Sequence, residues 1–315
     1  MNKRNIKTVK GVIFGHAVAD ALGVPAEFSS REKLDRSPIT DMIGYGTYPY
    51  PAGSWSDDTS MSLAALDSLA SGAPDFDDIM AKFGAWYYKD EYTPTGSLFD
   101  VGNACSFAIG NYFERGQGVD NCGLRSESSN GNGSLMRIHP FILYAVIKRL
   151  SVGDMIDLTY RASALTHAHE RSMVACGIYA FVLTSLIKKA DKSAIRLGLK
   201  EAERYYKDNP EIDRYARIFD PDFEFTDRSA IKSGGYVVDT LEAALWCLLT
   251  TDSYKECALK AVNLGEDTDT VAAIAGGLAG ALYGYDAIPE EWICTLKRNE
   301  YISELCESAV KAWEK

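Results

Sequence analysis

The chain has 315 residues, with 33 Lys or Arg against 44 Asp or Glu, a formal net charge of -11. Hydrophobic residues make up 46%, too many for a disordered chain and enough to bury a large core without disulfides or a structural metal. No basic run exceeds a pair, so the positive footprint of a nucleic-acid binder is missing. None of the seven Cys forms a CxxC pair, which fits neither a zinc ribbon nor a disulfide framework. Free thiols and a reducing, cytoplasmic location are expected.

The chain opens with a helical pattern, Ile6, Val9, Ile13 and Ala17, at spacings of three and four. Basic residues precede it as in a signal peptide, but Gly11, Gly15, His16 and Asp20 break the apolar stretch. Gly23 and Pro25 end the helix. Gly11, Gly15, Ala19 and Gly23 line one strip of it, as Ala273, Gly277 and Ala281 do on a later helix, so both are expected deep in the protein. Next comes an apolar helix after Trp55–Met61, with Gly72 as its C-cap. Asp77 is expected to cap a helix carrying Ile79, Phe83, Trp86 and Tyr87, and Asp154 another.

Val174, Ile178, Val182 and Leu186 mark a further helix. Two polar stretches, Arg115 to Gly133 and Lys207 to Gly235, are expected as long surface loops or lids. Tyr236-Val237-Val238 is the best strand candidate, yet it runs straight into TLEAALWCLL, which reads better as a helix. The longest uncharged apolar stretches, Met173 to Ile187 and Val271 to Tyr285, fall short of the roughly 20 residues of a membrane span, so no membrane partner is expected. The pattern predicts an all-α fold, a single domain over 1–315, because the chemically suggestive motifs flank both loops.

Two segments are over-acidic for simple helix caps. Ser56-Asp57-Asp58-Thr59 and Asp267-Thr268-Asp269-Thr270 each precede an apolar helix. Two carboxylates about 4 Å apart repel by ~4 kcal/mol at an effective dielectric near 20, a cost that a cation removes. Oxygen-only ligands favour Mg²⁺, Mn²⁺ or Ca²⁺ over zinc. An EF-hand fails because Val271 and Ala272 occupy the next ligand places. An isoprenoid-synthase pattern is weakened by Met61, where a third Asp belongs. Glu27 follows Pro25 in an irregular segment. Asn130-Gly131-Asn132-Gly133-Ser134 forms a Gly-rich turn whose backbone N–H groups suit phosphate. His167 and His169, two apart, would not share a helix face, so a zinc pair is not expected. His16 and His139 read as structural.

DALGVPAEF, WSDDTSM, LFDVGNA, GNGSLMRIHP with THAHERS, GYVVDTLEAALW and GEDTDTVAAIAGGLAGALYG occur in this order. Together they resemble the ADP-ribosylglycohydrolase family, the group that includes the dinitrogenase-reductase-activating glycohydrolase. The resemblance spans residues 11 to 285. It implies a compact orthogonal helical bundle with two Mg²⁺ or Mn²⁺ ions held by Ser56, Asp57, Asp58, Asp267, Asp269 and Thr270, Asp269 bridging both. It implies catalytic roles for Glu27 and Asp100, the latter typical of the arginine-specific branch. In that context Asn130, Gly131, Asn132, Gly133 and Ser134 would touch a diphosphate, His167 would line the cleft, and Tyr236 would stack on adenine.

The activity implied is metal-dependent removal of ADP-ribose from mono-ADP-ribosylated protein, with arginine the favoured acceptor. Hydrolysis of Ser-linked or O-acetyl ADP-ribose is the enzymatic alternative. A non-catalytic ADP-ribose-binding protein is another, and occlusion of an ADP-ribosylating toxin is a third with no residue in its favour.

Overall fold

The computed structural model describes residues 2–315. Among these, twelve helices of nine or more residues carry the architecture and no strand forms. They are α1 Lys3–Gly23, α2 Asp57–Leu69, α3 Phe76–Lys89, α4 Asn103–Phe113, α5 His139–Ile147, α6 Val152–Ala164, α7 Glu170–Lys188, α8 Ser193–Tyr206, α9 Val237–Leu249, α10 Tyr254–Val262, α11 Thr268–Tyr283 and α12 Asn299–Trp313. The only β-type pairings among the described residues are isolated bridges, Leu124 with His167 and Gly131 with Tyr236. Tyr236 is therefore the cap of α9 rather than the start of a strand.

Helices α1 and α11 form the centre, and glycine lets their backbones touch. A Cβ on Gly15 would lie 2.5 Å from the Gly276 carbonyl oxygen, and one on Gly11 would lie 2.7 Å from that of Gly280. The facing strip on α11 is thus Gly276 and Gly280, one register away from the expected Ala273, Gly277 and Ala281. Gly277 instead faces the Tyr179 hydroxyl, 2.9 Å from where its Cβ would be. At the far end of the pair the Thr268 hydroxyl donates to the Gly23 carbonyl (2.8 Å). This contact sets the C-terminus of α1 against the N-terminus of α11.

Three helix ends differ from expectation, the two N-terminal ones because a neighbouring side-chain oxygen reaches the free N–H groups better. Asp75, not Asp77, caps α3, accepting from the amides of Asp77 and Asp78 at 3.0 and 3.2 Å. Ser151 caps α6, accepting from the Asp154 amide (3.1 Å) while its hydroxyl donates to the Asp154 carboxylate (2.7 Å). Helix α2 ends at Leu69 with Ala70 as its cap, and Gly72 lies beyond in the turn.

The two polar stretches are packed rather than free. Residues 207–235 hold a turn of 3₁₀ helix, Pro210–Tyr215, and a short α-helix, Ala216–Phe219. Tyr215, Ile218, Phe223 and Ile231 are buried there. In residues 115–133 the buried Cys122 receives a hydrogen bond on its carbonyl from Asn111 (2.8 Å). Single apolar anchors at irregular spacing carry no periodic signal, which is why they read as loops.

Six of the seven cysteines are buried, all are free, and Cys294 is exposed. The segment Lys3–Ala26 and α7 are long and apolar enough, by length and composition, to cross a membrane. Each carries charged residues, so a count of uncharged stretches alone does not reveal its full length. Most of both lies buried inside the protein, as core helices do.

Candidate active site

Four chain segments converge where α1 and α11 meet: the turn after α1, the first turn of α2, the segment entering α4, and the first turn of α11. Ser56 caps α2, accepting from the Asp58 amide (3.3 Å) and donating to Asp58 Oδ2 (3.1 Å). The Thr270 hydroxyl of α11 donates to that same oxygen (3.2 Å), so Asp58 ties the two helix starts together. Carboxylates suit both places, since each helix N-terminus presents free N–H groups and a partial positive charge.

Asp20, to which sequence reasoning assigned no role, fixes this junction from below. It is fully buried on α1. Its carboxylate accepts from the Ser56 amide (2.9 Å), the Thr59 amide (3.1 Å) and the Thr59 hydroxyl (2.6 Å). The available signal was an acid inside an apolar, small-residue helix with no Lys or Arg one turn away.

Glu27 stands where the turn Val24–Ala26 leaves α1. Phe28 and Glu266 beside it tie two loops together: the Phe28 amide donates to the Glu266 carbonyl (2.7 Å) and the Glu266 amide to the Ser29 carbonyl (2.9 Å). Phe28, Glu266 and Asp100 all hold positive φ, 61°, 63° and 51°. Non-glycine residues adopt this region only when their surroundings hold them there.

One oxygen from each of Glu27, Asp100 and Asp269 lies within 4.8 Å of the other two. Asp267 accepts from the Asn132 amide group (2.7 Å), and Asp57 from the Gly102 amide (3.4 Å). Among the described residues, none of these acids forms an ion pair with Lys, Arg or His. Burial raises the pKa of Asp57, Asp58, Asp267 and Asp269, and charged neighbours add to the rise for Asp57, Asp58 and Asp269. Burial, then the charge of Asp100, pushes Glu27 up to about 8. Burial, then Asp267, pushes Asp100 up to about 6, and burial alone does the same to Asp20.

The donor set suits a hard cation. Asp58 Oδ1, Asp269 Oδ2 and Glu27 Oε2 are buried with no hydrogen-bond partner. Leaving such oxygens unmet costs about 1–3 kcal/mol each, more when charged. The ligands would be oxygens throughout, the preference of Mg²⁺, Mn²⁺ or Ca²⁺. His16 and His139 stay out of the set. They pack ring to ring at 4.4 Å in the interior, and burial holds both below the usual imidazole range, His16 at about 4.

Above the acids opens a cavity of about 750 Å³, lined by Glu27, Asp57, Asp100, Asp267 and Thr270 and by Gly131, Asn132, Gly133 and His167. Ser56, Asp58 and Asp269 lie beneath it, buried. His167 bonds through Nδ1 to the Thr166 hydroxyl (2.9 Å), and burial, with Arg137 nearby, lowers it to about 3, so its ring is neutral. Gly133 presses on it: a Cβ there would lie 2.9 Å from His167 Cε1.

Three residues of the predicted binding set sit outside the lining. Asn130 turns inward, accepting from the Ser172 hydroxyl (2.9 Å) and donating to the Glu127 carbonyl (3.0 Å). Ser134 accepts from Ser163 (2.9 Å) deep in the core. Tyr236 is half-exposed, with the Arg171 guanidinium 6.0 Å from its ring centre. Phe28 and Phe107 line the cavity and are exposed there. Neither had been singled out, because isolated aromatics in a loop or on a helix exterior carry no pattern.

The bundle, the cavity and the acidic cluster beneath it, which could bind metal, define a helical enzyme, and along residues 1–315 the chain belongs to the ADP-ribosylglycohydrolase family. It is 35% identical to an ADP-ribosylarginine hydrolase of Pseudomonas putida (strain GB-1), over 95% of this chain and 76% of the relative. It is 33% identical to the ADP-ribosyl-[dinitrogen reductase] glycohydrolase of Rhodospirillum rubrum, over 91% of this chain and 89% of that one. A solved structure, an ADP-ribosylglycohydrolase-related protein complex, superposes with a TM-score of 0.82 at 28% identity, over 99% of both chains.

Proposed function

We propose that the protein hydrolyses the N-glycosidic bond between ADP-ribose and an arginine side chain of a modified protein. The observation that carries this reading is the cluster of Glu27, Asp100 and Asp269 oxygens within 4.8 Å of one another, at the floor of a cavity of about 750 Å³. The relatives named for ADP-ribosylarginine and for ADP-ribosylated dinitrogen reductase support the acceptor and the class of protein substrate. The free, mostly buried thiols fit a cytoplasmic setting.

Two Mg²⁺ or Mn²⁺ ions would be held by Ser56, Asp57, Asp58, Asp267, Asp269 and Thr270. Bound there, they would orient ribose hydroxyls and acidify a coordinated water. The chain's own residues do the rest. Cleaving the bond builds positive charge at the anomeric carbon, and the carboxylates of Glu27 and Asp100 at the cavity wall stabilise it. One of the pair takes a proton from the attacking water, and a proton returns to the departing guanidino nitrogen. Asn132, itself bonded to Asp267 and to Thr240 (3.0 Å), and the glycines beside it let a flat, anionic ligand approach the backbone. The exposed face of Phe28 offers the acceptor guanidinium an aromatic surface.

The test is release of ADP-ribose from peptides modified on Arg or on Ser, with Mg²⁺, Mn²⁺ or EDTA. Release from the Arg peptide that needs metal is expected. No release from that peptide in any arm refutes the arginine reading, and release from the Ser peptide alone would replace it.

A further inference from the structure

Arg137 is fully buried, and among the described residues no carboxylate pairs with it. Its guanidinium lies over the Phe83 ring, 4.8 Å from the centre. Nη1 donates to the Ala162 carbonyl (3.2 Å) and Nη2 to the Thr166 hydroxyl (2.6 Å). A charge held this deep without a counter-ion is costly, and the reaction described above makes no use of it.

Arg137 settles the direction of the next hydrogen bond. A guanidinium can only donate, so the Thr166 oxygen is the acceptor. The single proton of that hydroxyl is left for His167 Nδ1, 2.9 Å away. The neutral His167 ring carries one N–H, and with Nδ1 accepting, that proton sits on Nε2. The residue itself is held by Ser163, whose hydroxyl donates to the His167 carbonyl (2.9 Å) and whose carbonyl accepts from the His167 amide (2.8 Å). Nε2 stands beside the glycine turn: a Cβ on Gly131 or on Gly133 would lie 3.5 Å from it. Both glycines line the cavity together with His167.

We propose that Arg137 and Thr166 are positioning residues that lock His167 as its Nε2–H tautomer, and that His167 thereby donates to a phosphate oxygen of the ligand. The proposal rests on the functional reading above for the ligand. The Arg137 charge polarises the chain of hydrogen bonds and strengthens its last donor. The acids on the cavity floor repel an anion, and a cation behind His167 attracts one. A phosphate oxygen is therefore the acceptor expected at Nε2, ahead of a ribose hydroxyl.

The chain has four histidines, so the ¹⁵N NMR signals of His167 are identified by their loss in His167→Gln. In wild type Nε2 should carry the proton and Nδ1 none. Thr166→Val keeps the shape and leaves Arg137 its Ala162 carbonyl and its Phe83 ring. It should show a share of Nδ1–H, and in the Mg²⁺-loaded enzyme should weaken ADP-ribose about 3- to 10-fold in isothermal titration, the range for one hydrogen bond. Thr166→Ser restores the hydroxyl and should restore both readouts. In His167→Gln, whose amide nitrogen donates without a tautomer, adding Thr166→Val should cost less than about twofold further. A crystal structure with ADP-ribose should place Nε2 about 3 Å from a phosphate oxygen.

A wild type protonated on Nδ1, or a wild-type spectrum in Thr166→Val, overturns the proposal. So does an equal loss of affinity from Thr166→Val in the His167→Gln background, or a ribose hydroxyl at Nε2 in the complex. A metal-loaded wild type that binds no ADP-ribose would refute the functional reading instead, and the tautomer spectra would still decide the role of Arg137 and Thr166.

Discussion

Asp269→Asn tests the electrostatic core of the site, because it removes one charge and keeps the shape. The Asp269 oxygen lies within 4.8 Å of oxygens on Glu27 and Asp100. At that separation and an effective dielectric near 20, two unit charges repel by about 3.5 kcal/mol. Without metal the protein escapes the cost by keeping protons, which is what the raised carboxyl pKa values express. A carboxyl whose folded pKa is raised contributes stability that is full below its unfolded pKa and is lost as pH rises through the folded value. With Glu27 near 8 and Asp100 near 6, metal-free wild type should lose stability steadily from about pH 4 to above pH 8.

At pH 8.5 in EDTA the variant should then melt above wild type. A gain of about 3 kcal/mol corresponds to about 4–5 °C for a chain of this size. Divalent metal reverses the order. Saturating Mn²⁺ at about 100 times its Kd stabilises wild type by about 2.7 kcal/mol, or about 4 °C, and should leave the variant nearly unmoved. Scanning calorimetry over pH 5 to 9, with and without Mn²⁺, reads both effects. An Asp269→Asn protein less stable than wild type in EDTA at pH 8.5, or one that gains as much from Mn²⁺, would refute the reasoning.

The other predictions concern the acids and the helix contact that places them. Glu27→Gln should lower kcat at least 100-fold while ADP-ribose still binds, as isothermal titration would show; near-normal turnover would remove Glu27 from the chemistry. Asp20→Ala strips three donors of their acceptor inside the core and should cost about 3–5 kcal/mol in urea unfolding, with metal affinity falling too. Gly15→Ala should destabilise by at least about 2 kcal/mol, although alanine alone favours a helix by about 1, since its Cβ would meet the Gly276 carbonyl. An unchanged urea midpoint in Gly15→Ala would mean the α1–α11 contact yields without cost.

What the sequence disclosed, and what it hid, follows from how each residue acts. The acids at the starts of α2 and α11 were legible because capping needs one oxygen and each segment carries more. The depth of α1 was legible from its small-residue strip. The register of α11 was not: Ala272, Ala273, Ala275, Gly276, Gly277, Ala279 and Gly280 put small side chains on every face, so composition cannot choose the strip that meets α1. The choice falls to Gly276 and Gly280 because only glycine admits a carbonyl at the distances found.

Asp20 was hidden for the opposite reason. It acts through partners far along the chain, Ser56 and Thr59, and no local spacing records such partners. The Asn130 and Ser134 side chains show the converse error. A Gly-rich turn announces exposed backbone, but the polar side chains within it can equally turn inward, here to Ser172 and Ser163. The residues that carry charge at this site are thus readable from excess, and the residues that aim them only from contact.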